Sequence, residues 1–241
     1  MRHRPAMFVG THRQSFLVTS ALFVALCVLF PSVAPAQNPN PRVLPPNSAP
    51  LGRTYGEWSA LWVQWAWGTT TADNPVLDTT GANCAVGQSE RVWFLAGTAG
   101  PDPVQRSCSV PAGRALFFPV ANGFCAGDGF PDGFAGERRC ATEFASQLSN
   151  FSAEVDGVPI KGLGASLSAS NYRALSPEFA LILGDDNVFG APAGTYAPGA
   201  ADGVYLMLAP LSRGEHVIHL HADFTGTSAV VDVTYFLTVG N

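Results

Sequence analysis

The sequence has few charged residues, and lysine is almost absent from it. Charged side chains make up 13% of the chain, and Lys161 is the single lysine. Acidic residues outnumber basic ones by 18 to 13, which gives a formal net charge of −5. Proteins that bind nucleic acid or an anionic membrane surface through phosphate contacts need a basic patch. We therefore expect no nucleic-acid partner.

Motifs of familiar catalytic sites are missing as well. The sequence contains no Gly-x-Ser-x-Gly nucleophile motif and no glycine-rich phosphate loop between a strand and a helix. Its cysteines do not show the Cys-x-x-Cys spacing of a zinc site. These absences imply no nucleotide cofactor, and they favour a binding or structural protein over an enzyme.

Long apolar runs are absent except near the N-terminus. The first 13 residues carry three arginines, an uncharged apolar run extends from Phe16 to Phe30, and Ala34-Pro35-Ala36 follows. This order predicts a cleavable signal peptide at residues 1–36, because the run is shorter than the roughly 20 residues of a membrane-spanning helix. Its removal takes away three of the 13 basic residues and none of the 18 acidic ones, which leaves a net charge of −8. We expect a periplasmic or extracellular protein whose mature chain has no transmembrane segment.

Four cysteines lie beyond residue 36, at Cys84, Cys108, Cys125 and Cys140. An even number of cysteines in an exported chain predicts two disulfide bonds. Three pairings exist. We favour Cys84 with Cys108 and Cys125 with Cys140, because sequence neighbours close the shortest loops.

A tryptophan-rich helix is predicted to follow a short tether. Residues 37–53 are rich in Pro and Asn and have no apolar period, which predicts an extended segment. Thr54-x-x-Glu57 fits a capping box and Gly68 fits a helix stop. At 100° per residue, an apolar arc of about 140° predicts a helix that packs on a core through several large side chains, including Trp58, Trp62 and Trp65.

Trp67 is the exception within this helix. It lies about 180° from Trp58 around the helix axis, so we expect it to be the most exposed of these tryptophans. Sugars stack on exposed aromatic faces. Trp67 is therefore the candidate ligand contact of a carbohydrate-binding or carbohydrate-active protein.

The sequence from Arg91 onward predicts a mainly β domain. Short runs rich in β-branched and aromatic residues are separated by clusters of Gly, Pro and Asp. One further short helix is predicted between Ala141 and Ser149. About eight strands without alternating helices predict an antiparallel β-sandwich, immunoglobulin-like or jelly-roll in type, that spans residues 54–241 as a single domain.

Three histidines lie close together at His216, His219 and His221. On a strand, His219, His221 and Asp223 share one face and His216 lies on the other. Two strand rises separate His219 from His221 by roughly 6.7 Å, so their imidazoles could bind one zinc or copper ion. Asp223 or a carboxylate from a neighbouring strand would be the third ligand. The simpler interpretation is an exposed polar face, and we expect His216 to cap a turn or to pack partly buried.

The loop from Cys125 to Cys140 is a second candidate site. It contains three acids whose oxygens suit calcium, namely Asp128, Asp132 and Glu137. It lacks the register of a calcium loop, so we favour a disulfide-closed surface loop over a calcium site. Phe130 and Phe134 near its tip are candidate contacts for a protein partner.

Two resemblances add to this interpretation. The segment LAPLSRGEHVIHLHADFTGTSAVVDVTYFLTV resembles the final two strands of an immunoglobulin-like sandwich. The blocks TYGEWSALWVQWA, DNPVLDTTGANCAVGQ, VWFLAGT, CSVPAGRALFFPV and ADGVYLMLAPLSRGEH resemble those of uncharacterised exported bacterial proteins. The resemblance implies a fold and export, and it carries no activity. We therefore expect an exported binding or structural module whose partner is a protein or a glycan, with a metal-binding protein as the main alternative.

Overall fold

The computed structural model describes Asn40 and residues 42–88, 91–98 and 100–240. These residues form two α-helices, α1 (Tyr55–Trp67) and α2 (Phe134–Ala145), and ten strands. The strands are β1 (Val92–Phe94), β2 (Val104–Pro111), β3 (Ala115–Ala126), β4 (Leu148–Val155), β5 (Val158–Pro159), β6 (Arg173–Leu175), β7 (Phe179–Leu183), β8 (Gly194–Leu208), β9 (Gly214–Phe224) and β10 (Val230–Gly240). The prediction of a mainly β fold is confirmed. The predicted signal peptide at residues 1–36 lies outside the described residues.

The strands form two five-stranded sheets. The first has the order β1-β3-β8-β6, with β7 also paired to β8, and the second has the order β2-β10-β9-β4-β5. Most pairs are antiparallel, but β1 pairs with β3 and β2 pairs with β10 in parallel. A fully antiparallel arrangement was therefore a wrong prediction. Strand β2 belongs to the second sheet, so the chain crosses from one sheet to the other between β1 and β3 and returns in the same direction.

One cluster of buried side chains includes residues from both sheets and from α1. Strand β2 alternates buried and exposed residues, as expected where one sheet face meets the core and the other meets solvent. Strand β8 is instead buried at every position from residue 199 to Leu208. It lies in the middle of its sheet, and both helices contact it. Among the described residues, no helix has the length and apolar character needed to cross a membrane.

Helix α1 has the predicted ends. The Thr54 hydroxyl accepts a hydrogen bond from the Glu57 amide at 3.2 Å, and the Glu57 carboxylate accepts one from the Thr54 amide at 2.7 Å. The tryptophans that were expected to face the core are buried. Ala60, which lies about 200° from Trp58 around the helix axis, is buried too, and Gln64 donates a hydrogen bond to the Ala180 carbonyl of β7. Because β7 lies against it, α1 is buried around more of its circumference than its sequence indicates.

The segment before α1 packs against the domain. Val43 forms a bridge with Leu208 and is 2% exposed. The Leu44 amide donates to the Met207 carbonyl at 2.8 Å, and the Ala209 amide donates to the Arg42 carbonyl at 2.9 Å. The prediction of an extended tether over 37–53 is therefore wrong for its described part. The backbone groups that fix this segment belong to the end of β8, about 160 residues away along the chain, and local composition does not reveal them.

Both predicted disulfide pairings are present. Cys84 is bonded to Cys108 and Cys125 to Cys140, with Cα–Cα distances of 6.2 and 6.0 Å. The second bond joins β3 to α2. This helix begins after Gly133, whose φ is +57°, so it begins and ends earlier than the predicted helix between Ala141 and Ser149.

Candidate functional site

An open cavity of about 410 Å³ lies between the second half of β3 and the turn of the β9–β10 hairpin. Its walls come from both sheets, from α1 and α2 and from three further loops. Six aromatic side chains line it: Trp62, Trp67, Phe124, Phe144, Phe189 and Phe224. Two polar side chains, those of Thr98 and Asn122, also contribute to its wall. We call this site the aromatic cavity. Its volume lies within the range of small-molecule binding sites.

Local irregularities in β3 shape the wall of the aromatic cavity. The pairing of β3 with β8 shifts register between Pro119 and Ala121, within the part of β3 that lines the cavity. Such bulges bend a strand and redirect its side chains. Gly123 follows, and a Cβ at that position would lie 2.6 Å from the Phe144 ring. Glycine at position 123 therefore allows α2 to bring Phe144 to the cavity.

Trp67 lies on the wall of this cavity. Its ring is stacked on Phe124 with centroids 5.6 Å apart, and the centroid of Phe189 is 5.5 Å away. Trp67 is the most exposed of the four tryptophans of α1, as predicted, although these rings leave it only partly exposed. Trp67 is nevertheless the one predicted ligand contact that reaches a cavity of this kind.

Two phenylalanines of the aromatic cavity keep a large exposed surface. Phe144 is 45% exposed and Phe189 is 48% exposed. Phe144 also makes an edge contact with Phe224, with centroids 6.1 Å apart. Sequence analysis missed these rings because they come from separate segments of the chain. The available signal was weak: Phe124 and Phe189 each stand beside Asn and Gly, outside an alternating apolar pattern.

The predicted metal ligands lie on the outer face of the second sheet. His219 Nε2 is 3.1 Å from one oxygen of Asp232, and His221 Nδ1 is 3.2 Å from the other. His221 Nε2 is 3.2 Å from an oxygen of Asp223, whose second oxygen accepts a hydrogen bond from Asn150 at 2.8 Å. Asp232 is the cross-strand partner of His221 on β10.

These contacts do not form the predicted metal centre. Among the described residues, no three His, Cys, Asp or Glu side chains are grouped so that they could hold a metal ion. Asp223 contacts only one of the two histidines, and each imidazole is hydrogen-bonded to a carboxylate. The zinc or copper site predicted at His219, His221 and Asp223 is therefore not supported. The simpler interpretation, a polar outer face, fits the contacts.

His216 is buried on the opposite side of β9, at a turn. Its Nδ1 is 2.8 Å from an Asp156 oxygen, and its Nε2 is 2.9 Å from the Ser212 carbonyl and 3.3 Å from the Ser212 hydroxyl. The residue types match a hydrolytic triad, but the geometry does not. Nε2 lies closer to the Ser212 carbonyl than to the Ser212 hydroxyl, so the imidazole is not aligned with the hydroxyl as a base for a nucleophilic serine would be. Burial opposes ionisation of Asp156, but hydrogen bonds from His216 and Val217 outweigh it and lower the pKa of this carboxyl.

The acidic side chains of the loop from Cys125 to Cys140 do not form a shared calcium site. Asp132 pairs with Arg139 at 2.9 Å, and this hydrogen bond lowers the pKa of the Asp132 carboxyl. Glu137 is buried, and its burial together with nearby Asp128 raises its pKa. A calcium ion would need all three carboxylates to converge in ionised form. The calcium alternative, which the sequence already disfavoured, is therefore not supported.

The two phenylalanines of this loop do not reach the aromatic cavity. Phe130 and Phe134 are partly buried. The Arg139 guanidinium lies 6.0 Å from the ring centroid of Phe130, and that of Arg138 lies 5.7 Å from Phe134. Both rings thus pack with arginines of α2, and a role as partner contacts has no support from their exposure.

In comparisons with known proteins, no family model, no curated protein and no solved structure matches the chain. The resemblance to exported bacterial proteins therefore stays a prediction.

Proposed function

We propose that this protein is an exported binding module that holds a small apolar ligand with a flat ring in the aromatic cavity. The main support for this proposal is that six aromatic rings surround an open space of about 410 Å³. Binding sites of this size are lined mainly by apolar and aromatic side chains, with a few polar groups that orient the ligand. Thr98 and Asn122 would supply those polar groups.

Burial of exposed ring surface supplies the driving force. Phe144 and Phe189 keep nearly half of their surface in solvent, and a ligand that covers them removes apolar area from water. A flat ring also permits offset or edge contacts with Trp67 and Phe124, which aromatic pairs prefer. A sugar would need several hydrogen-bonding partners, and the described wall offers two polar side chains. An apolar ligand is therefore favoured over the carbohydrate of the sequence prediction.

Export and the type of sandwich belong to this proposal. The chain begins with the pattern of a signal peptide, and two disulfide bonds suit an oxidising compartment. The shared core of the two sheets supports a β-sandwich, and the antiparallel pairing of β9 with β10 fits an immunoglobulin-like ending. A periplasmic or secreted protein of immunoglobulin-like or jelly-roll type is thus the proposed setting for the aromatic cavity.

The test is a titration with N-phenyl-1-naphthylamine, an uncharged aromatic probe whose fluorescence rises in apolar surroundings. We expect saturable binding with one probe per chain. Trp67→Ala and Phe189→Ala should each weaken binding about tenfold or more, because each removes an aromatic contact that covers the probe.

Phe236→Ala is the matched control. Phe236 is 42% exposed on β10, in the second sheet, and does not line the aromatic cavity. Its removal should leave probe binding unchanged. Non-saturable binding, or an equal loss in the Phe236 and Trp67 variants, would contradict the proposal.

A further inference from the structure

A second cavity, of about 250 Å³, adjoins the aromatic cavity. Val76, Thr98 and Gly100 contribute to the walls of both cavities. The remaining wall of the second cavity comes from Leu77, Thr79, Pro101, Asp102 and Val104. We call it the side cavity. The two cavities therefore share part of their walls at these three described residues.

We propose that the two cavities form one elongated site for a ligand whose ring lies in the aromatic cavity and whose apolar chain, with a cationic end, extends into the side cavity. The proposal rests on the proposed function, since the aromatic cavity holds the first part of the ligand. The side cavity continues the apolar wall through Val76 and Val104, which are buried, and Leu77, which is 47% exposed. An apolar chain that enters the side cavity would cover this exposed leucine. A ligand confined to one compact ring would leave it in water.

The charge in the side cavity decides which end group it accepts. Asp102 is the charged residue of its wall, and its described lining contains no Lys, Arg or His. Arg106 is close in sequence, but its guanidinium is buried and donates to carbonyl oxygens, including that of Val76. A carboxylate in the side cavity would therefore face Asp102 without a compensating cation, whereas an ammonium group would be attracted.

Gly100 gives a way to close the side cavity without touching the aromatic rings. A Cβ at Gly100 would have the Thr98 hydroxyl as its nearest neighbour, at 4.0 Å, so a larger side chain has room. Gly100→Leu should place a bulky side chain where the walls of the two cavities meet. Gly129→Leu is the matched control, because a Cβ there meets nothing within 4 Å and Gly129 lines neither cavity.

A second variant tests the side cavity without a change at a glycine. Leu77→Asn replaces the exposed apolar wall with a polar group of similar size. Its matched control is Ile182→Asn, since Ile182 is 67% exposed and lines neither cavity. If Gly100→Leu does not fold, as judged by its melting curve, the Leu77 variant and its control decide the result.

The experiment measures displacement of N-phenyl-1-naphthylamine by hexyltrimethylammonium, decyltrimethylammonium and decanoate, below their micelle-forming concentrations. Each buried methylene should improve affinity roughly fourfold. We expect the decyl compound to bind at least about tenfold more tightly than the hexyl compound in the parent. This ratio should fall several-fold in Gly100→Leu and Leu77→Asn, and stay at the parent value in both controls. Decanoate should bind more weakly than decyltrimethylammonium, and Asp102→Asn should narrow that difference.

The outcomes separate this inference from the proposed function. If the probe binds and Trp67→Ala weakens it, but the decyl-to-hexyl ratio is unchanged in Gly100→Leu and Leu77→Asn, the elongated site is refuted and the proposed function stands. If decanoate binds as well as the cation, the cationic end is refuted. If the probe does not bind the parent protein, the proposed function and this inference fail together.

Discussion

Arg106 is a cation inside the protein that holds the wall of the two cavities by hydrogen bonds. It is 1% exposed. Its guanidinium donates to the carbonyl oxygens of Val76, Asp78, Ala96 and Gly97 and to the Tyr235 hydroxyl. The planar fork of arginine suits such divergent acceptors better than the single ammonium of lysine. Val76 and Gly97 line the aromatic cavity, so one side chain of β2 fixes two parts of its wall.

Replacement of Arg106 should therefore lower the free energy of unfolding much more than replacement of a surface arginine. Arg106→Met removes the side-chain donor of the Val76, Asp78 and Gly97 carbonyl oxygens, which are buried or partly buried, at roughly 1 to 3 kcal/mol each, so we expect the free energy of unfolding to fall by more than about 3 kcal/mol. Arg138→Met, at an exposed position of α2, should change it by less than about 0.5 kcal/mol. Urea titrations of both variants check this, and equal effects would contradict the role given to Arg106.

Asp78 is held by the backbone amides of its own loop. Its carboxylate accepts hydrogen bonds from the amides of Thr80, Gly81 and Asn83, at 2.8, 3.1 and 2.9 Å. Burial opposes its ionisation, but these hydrogen bonds outweigh burial and lower the pKa of Asp78. A carboxyl with a lowered pKa in the folded state stabilises the fold above its unfolded pKa, and that contribution is lost as the pH falls through the folded pKa.

Asp78→Asn should therefore destabilise the protein in a pH-dependent way. Above pH 4, near the unfolded pKa of about 3.9, the variant should be less stable than the parent by roughly 1 to 3 kcal/mol. The difference should shrink as the pH falls further, because the parent loses the charge that the amides bind. Urea titrations between pH 7 and pH 2.5 measure it. Asp185→Asn, in an exposed bend after β7, is the control, and a difference that stays constant with pH would contradict the prediction.

Helix α1 is the element that its sequence predicts best, because its ends depend on local contacts. Thr54, Glu57 and Gly68 act within one turn of each other or of the helix end. What surrounds the helix depends on distant strands. The hydrogen bond from Gln64 to β7 and the partial burial of Trp67 against Phe124 and Phe189 depend on such contacts, and the helical periodicity of the sequence does not predict them.

Trp58 should therefore contribute mainly to stability, and Trp67 mainly to ligand binding. Trp58 is 6% exposed, contacts Phe94 and Phe117, and donates from its indole to the Pro50 carbonyl at 3.0 Å. Trp58→Ala should cost about 3 to 5 kcal/mol of stability. Trp67→Ala should cost less and instead weaken probe binding, because it faces an open cavity. Denaturant titrations compare the two variants, and a larger loss of stability in Trp67→Ala would reverse these assignments.

The same difference between local and distant contacts explains which of the other elements the sequence predicts and which it does not. The strand predicted at His216, His219, His221 and Asp223 is observed as β9, because its alternation is a local pattern. The parallel partners of β2 and β3 come from a crossover between sheets, which has no local pattern. The start of α2 was missed because Gly133 and the surrounding glycines are typical of a loop. The aromatic cavity was missed because its six rings come from five segments that meet only in the folded chain.

At the scale of the whole molecule, three links join segments that are separate in the sequence. They are the two disulfide bonds and the packing of the N-terminal segment against the end of β8. The bonds close sequence separations of 24 and 15 residues. The Cys84–Cys108 bond ties the loop that contains Asp78 to β2, and the other bond ties α2 to β3. Both therefore stabilise segments that carry cavity residues, among them Val76 and Phe144. A ligand site built from separate segments needs such links to keep its shape before binding.

The N-terminal segment gives the last prediction, because it is part of the fold although its composition is that of a linker. Besides the contacts of Val43 and Leu44 with the end of β8, the Tyr55 hydroxyl donates to the Leu44 carbonyl. A chain that begins at Thr54 lacks these hydrogen bonds and the buried Val43, so it should be less stable than one that begins at Gln37 by at least about 2 kcal/mol. Guanidinium titrations compare the two chains. Val43→Ala in the longer chain should give a smaller loss in the same direction, since it removes the side chain and keeps the backbone pairing. If the chains that begin at Gln37 and Thr54 unfold with equal midpoints, the segment before α1 is a tether, as the sequence predicted.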